Sequence, residues 1–111
     1  MGLFSKHPKV VSELDALTRA AQRKILRKAE EAIGKSHKEN RLTFLDERVR
    51  YTDKSGRVTD YSVDDLANVF WGKLNDELMS QSMGGQSANM VMLGITTEDI
   101  RNIILKLREA K

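Results

Sequence analysis

The stretch RVRYTDKSGRVTDY, residues 48–61, decides the fold. Val49, Tyr51 and Thr52 before its centre and Val58, Thr59 and Tyr61 after it are strand formers. Between the two runs stands Asp53-Lys-Ser-Gly56, a turn in which glycine supplies the residue at φ > 0. The reading is a β-hairpin over residues 46–61, with strands near 46–52 and 57–61. Placing Thr52 opposite Arg57 pairs Tyr51 with Val58, Arg50 with Thr59, Val49 with Asp60 and Arg48 with Tyr61. One face then carries Val49, Tyr51 and Val58. The other carries Arg48, Arg50, Arg57 and Thr59, and Tyr51 and Tyr61 fall on opposite sides. A lone hairpin is marginal in water, so its apolar face needs a helix against it.

Helices are written on both sides. Upstream, Val10, Leu14, Leu17, Ala21, Ile25, Ala29 and Ala32 recur at steps of three and four and share one face. Pro8 suits the first turn of this helix and Gly34 its end, so the helix is expected over 9–33. About 24 residues at 1.5 Å each make a rod of ~36 Å, long for so small a chain. Downstream, Ser62-Val-Asp-Asp65 fits a capping box and opens a helix over 63–82. Its main stripe is Val63, Leu66, Ala67, Phe70, Trp71, Leu74 and Leu78. Gly84-Gly85 end it, and Met90-Val-Met-Leu93 is a short apolar run, either a strand or a buried connector. Thr96 or Thr97 caps a last helix over 97–109, with Ile100, Ile103, Ile104, Leu107 and Ala110 on one face. The expected fold is α+β and mainly helical: a long N-terminal helix, a β-hairpin, then two helices. It forms a single domain over 1–111 with one shared core.

Composition bounds what such a domain does. The chain has 111 residues, enough for one domain. It has no cysteine, which excludes disulfides, thiolate catalysis and Cys-ligated zinc or iron–sulfur sites. The N-terminus lacks the apolar core of a signal peptide, and Lys6 stands where a myristoylation pattern wants Ser or Thr. No apolar run approaches the ~20 residues of a membrane span, so a cytoplasmic location is expected. The net charge of +3 hides an asymmetry. Residues 1–57 hold 14 basic and 8 acidic side chains, and residues 58–111 hold 5 and 8.

That asymmetry marks one candidate surface. Arg19, Arg23, Lys24, Arg27 and Lys28 stand within ten residues, and Arg48, Arg50 and Arg57 decorate the hairpin. If the two groups face one way they form a surface that tracks phosphates. The plainer reading is an ordinary solvated helix face. A second candidate surface is the stripe Asn68, Gly72, Asn75, Met79 and Met83 on the middle helix. Small, polar and flexible side chains at helical spacing allow close approach and adaptable packing by a partner. An interior glycine costs roughly 1 kcal/mol relative to alanine, which another backbone approaching Gly72 would explain. The plainer reading is that the last helix fills this site.

Catalytic patterns are weak. His7 and His37 have no Ser or Asp at triad-like spacing. Asp60, Asp64 and Asp65 cluster, but capping and the helix dipole account for Asp64 and Asp65 without a metal. Gly84-Gly85 lacks the Lys-Ser/Thr of a phosphate loop. The expectation is therefore a small non-enzymatic protein–protein interaction module with no cofactor and no metal. It would act by occupying a partner's surface, as a phage-type inhibitor or an adaptor does, and the long first helix makes a homo-oligomer the natural form. The alternative is a nucleic-acid-binding or nucleoprotein component that uses the basic helix and hairpin.

Overall fold

The computed structural model describes residues 8–81 and 89–110, with side chains from residue 16 onward. The chain is α+β and mainly helical. Helix α1 spans Pro8–Lys38, strands β1, β2 and β3 span Leu42–Phe44, Arg48–Thr52 and Val58–Ser62, and helices α2 and α3 span Val63–Gln81 and Thr97–Glu109. The strands form one antiparallel sheet in the order β1-β2-β3.

Helix α1 runs beyond the expected stop. Gly34 sits inside the helix, and the chain turns instead at Asn40, whose φ is +61°. The Arg41 N–H donates to the Ser36 carbonyl at 2.8 Å and the Asn40 N–H to that of His37 at 3.2 Å. That is the Schellman pattern, with asparagine in the left-handed position. The extra turn lets Ile33 bury and brings His37 against Phe44, with ring centroids 5.5 Å apart. His37 thus has a packing role, and His7 lies outside the described residues.

The hairpin register is one residue from the expected one. The Asp53 N–H donates to the Arg57 carbonyl at 3.0 Å, so Asp53 and Arg57 face each other across a three-residue loop. Gly56, at φ +90°, is the extra left-handed residue of a bulged turn. Thr52 therefore pairs with Val58, Tyr51 with Thr59, Arg50 with Asp60, Val49 with Tyr61 and Arg48 with Ser62. A one-residue shift turns every partner to the other face. Tyr61 joins Val49 and Tyr51 on the covered face, whereas Val58 joins Arg48 and Arg50 on the outer one and is exposed. Leu42 and Phe44 of β1, opposite Tyr51 and Val49, extend the covered face beyond a two-stranded hairpin.

The turn is tied by one carboxylate. Asp53 Oδ1 accepts from the Ser55 N–H at 2.9 Å, the Ser55 hydroxyl at 2.6 Å and the Arg57 N–H at 3.0 Å. These bonds hold the Asp53 carboxyl below its ordinary range, and those from Arg50 do the same for Asp60. A carboxylate whose folded-state pKa is depressed stabilises the fold above its unfolded value and stops doing so as pH falls through the folded one. The hairpin is therefore expected to lose stability below about pH 4. Thermal melts across pH should show that loss, and it should shrink in Asp60→Asn. A melt flat down to about pH 2 would contradict it.

Among the described residues, twelve apolar ones make the core, including Ala29 and Ile33 of α1, Leu42, Val49 and Tyr51 of the sheet, and Ile100 and Ile104 of α3. On α1 the burial departs from the expected stripe. Ala29 and Ile33 are buried and Ile25 is half-buried, but Leu17 is 67% exposed and Ala32 also faces solvent. Met90–Gly94 forms turns, not a strand, and is pinned from both sides. The Trp71 indole N–H donates to the Ile95 carbonyl at 2.8 Å, and the Gln22 amide to that of Leu93 at 3.2 Å. Met90 and Ile95 of the α2–α3 connection are thereby buried. Helix α3 starts as expected, with Thr96 as N-cap and Asp99 Oδ2 accepting the Thr96 N–H at 2.9 Å. No described helix is long and apolar enough to cross a membrane.

Candidate protein-interaction groove

Helix α1 packs on β1 and α3 but barely touches α2. A groove runs between α1 and α2, with Ala29, Ile33, Tyr51, Phe70 and Leu74 along its larger end, which measures about 450 Å³. The smaller end, about 140 Å³, continues past Ile25, Ala32, Leu74 and Leu78 toward Gln81. Ala32 and Leu74 line both ends. The two helices are held apart by what lies beneath them. Tyr51 rises from the sheet into the gap and meets Phe70 edge-on, at a centroid separation of 5.2 Å. The Lys73 ammonium donates to the Tyr51 hydroxyl at 3.1 Å and lies 4.8 Å from the ring centre.

The groove's rim is basic. Lys28 and Lys35 of α1, Lys54 of the turn and Lys73 of α2 border it, with Arg41 at its end. Glu77 and Glu39 are the acids there, and Glu39 stands 3.9 Å from Arg41. The floor is largely apolar, and five cations border it against two carboxylates. The sequence marked Ile25, Ala29 and Ala32 as one face and Leu74 and Leu78 as another. It did not show that the two faces stop short of each other.

The expected partner stripe on α2 is divided. Asn75 Oδ1 accepts the Met90 N–H at 2.9 Å, and its Nδ2 lies 3.6 Å from Met79 Sδ. Asn75 thus serves the chain's own connector. Asn68 and Met79 are exposed, and with Gly72 they lie on the side of α2 turned from Leu74. Met83 and the Gly84-Gly85 pair lie outside the described residues. A Cβ built at Gly72 meets nothing within 4 Å, so no described backbone of the chain approaches it. Gly72→Ala is accordingly expected to stabilise the protein by about 0.5–1 kcal/mol, read as a raised melting temperature. A lowered melting temperature would show that something packs on Gly72.

The two basic groups do not merge. Arg19, Arg23, Lys24, Arg27 and Lys28 are all exposed. At about 100° per residue, Arg19, Arg23 and Arg27 drift along one side of α1 while Lys24 and Lys28 fall on another. Arg48 and Arg50 lie on the outer face of the sheet, opposite the face that covers the core. Arg50 is engaged there by Asp60, with Nε and Nη2 donating at 2.8 and 3.2 Å, and this pairing raises the guanidinium pKa further. Arg57 belongs to the turn. The acidic cluster disperses too, since Asp60 pairs with Arg50 and Asp64 sits 2.7 Å from Arg101 of α3. No group of three or more His, Asp or Glu among the described residues is placed to hold a metal ion.

No protein-family model, no curated protein and no solved structure matches the chain. What fold and site define together is a class: a small α+β fold with a basic-rimmed groove between two of its helices that the described residues leave uncovered.

Proposed function

We propose that the chain is a non-enzymatic protein–protein interaction module that works by taking an amphipathic helix into the α1–α2 groove. The observation that carries this reading is the apolar gap between two helices of one domain, bordered by Lys28, Lys35, Lys54 and Lys73. A helix laid there covers Ala32 and Leu74 and meets the rim with its carboxylates. An inhibitor or adaptor that occupies a partner's surface acts in this way. The test is affinity capture from the native host after nuclease treatment, with Ala32→Arg alongside. The reading predicts a protein retained by the wild type and released by Ala32→Arg. Equal retention by both would sink it.

Nucleic-acid binding is the second reading. It is supported by Arg19, Arg23, Lys24, Arg27 and Lys28 of α1, all exposed and none in an ion pair with another described residue. It predicts gel-shift affinity for duplex DNA or RNA that falls steeply with salt. Changing Arg19, Arg23 and Arg27 together to alanine should flatten the log–log salt slope by about 0.9 for each phosphate no longer neutralised. No shift at low salt would remove this reading.

A further inference from the structure

The stripe that lines the groove does not end with the groove. Ile25 and Ala32 form its α1 wall. At helical spacing the same stripe continues through Ala21, Leu17, Leu14 and Val10 toward the N-terminus. Leu17, the first large apolar residue of that continuation with a described side chain, is 67% exposed. Helix α1 has 31 residues, a rod of ~46 Å, and the molecule measures 57 × 31 × 20 Å. Its radius of gyration is 17.3 Å, against about 13 Å for a compact chain of this length. An apolar stripe thus runs out along a projecting helix with little of its own described chain beside it, while a groove on the same stripe is left uncovered by the described residues.

We propose that the groove's occupant is the N-terminal half of α1 from a second copy of this chain, the two α1 helices lying antiparallel about a two-fold axis. This inference rests on the reading of the groove as a helix-receiving site and names what fills it. Antiparallel pairing about a point between residues 24 and 25 brings residues 11–17 of one copy alongside residues 32–38 of the other. Leu17 then meets the small side chain of Ala32, so large faces small. The charges agree as well. Residues 10–18 carry Glu13 and Asp15 and no basic side chain, and the groove they enter is rimmed by Lys28, Lys35, Arg41, Lys54 and Lys73 against Glu39 and Glu77. The contact is reciprocal, as a two-fold interface must be, so each copy fills the other's groove.

Sedimentation equilibrium on the full chain tests this with three samples. The wild type is expected at twice the 12.6 kDa of one chain. Leu17→Asp, which spoils the inserted helix, and Ala32→Arg, which blocks the groove, are each expected to sediment at the mass of one chain, with helical circular dichroism intact. An equimolar mixture of the two should recover a heterodimer, because one intact inserted helix then meets one intact groove. A wild type that stays at one-chain mass up to millimolar concentration overturns the inference, as does a dimer that survives both substitutions. Partner capture by a monomeric wild type, abolished in Ala32→Arg, would overturn self-association and leave the groove reading standing. Loss of neither dimer nor captured partner in Ala32→Arg would end both.

Discussion

Replacing Ile104 with alanine is expected to cost about 2–5 kcal/mol of folding stability. Ile104 is fully buried, and with Ile100 it seats α3 against the rest of the core. Truncation removes the transfer free energy of the deleted methyl and methylene groups and leaves a cavity that the neighbours fill only in part. A domain of this size has a total stability of roughly 5–15 kcal/mol, so the loss is a large share of it. Urea unfolding followed by far-ultraviolet circular dichroism should show a lowered midpoint with an unchanged slope. Ile103, half-buried beside it, should cost less on the same change. A loss under ~1 kcal/mol at Ile104 would mean that α3 is not part of the cooperative core.

The second large effect is on association and should leave stability alone. Ala32 is exposed at the join between the two ends of the groove. Arginine at that position keeps helix propensity close to that of alanine and disturbs no core packing, so stability should change by less than about 0.5 kcal/mol. Its side chain reaches into the space an incoming helix needs, and it adds a cation to a floor that is otherwise apolar. Blocking the centre of an interface in this way typically costs about 2 kcal/mol or more, so association should weaken by about thirtyfold or more. The contrast carries the meaning: unchanged unfolding with abolished association assigns the groove to binding. Unchanged unfolding with unchanged association would leave it an empty feature of the surface.

Much of the fold is legible in the chain because patterning and turn chemistry agree. The helix expected over 97–109 has those bounds, since Thr96 and Asp99 write its start and the isoleucines its buried face. The α2 helix begins where Ser62 announced it, with the Ser62 hydroxyl accepting the Asp65 N–H at 3.1 Å. Other features depended on single residues whose effect is not local. The hairpin register turned on whether Asp53 is the last paired residue or the first of the loop, a choice the Arg57 carbonyl settles. Gly34 has the character of a helix end, but burial of Ile33 and the His37–Phe44 contact outweigh its weak propensity. The groove was hidden for a different reason. Each of its walls has an ordinary apolar stripe, and only tertiary spacing shows that Tyr51 and Phe70 prop the helices apart. The basic residues show the converse. Counting them along the chain joined Arg19–Lys28 with Arg48 and Arg50, while the sheet places the latter on its outer face.

What fills the groove is read most directly by an isotope-filtered nuclear Overhauser experiment on an equal mixture of labelled and unlabelled chains. Intermolecular contacts are expected from the Ala32 methyl of one copy to the Leu17 methyls of the other, and from Leu74 to the same helix. An Ala32 methyl with no contact to any second chain, in a sample concentrated enough to associate, would contradict the antiparallel α1 pair.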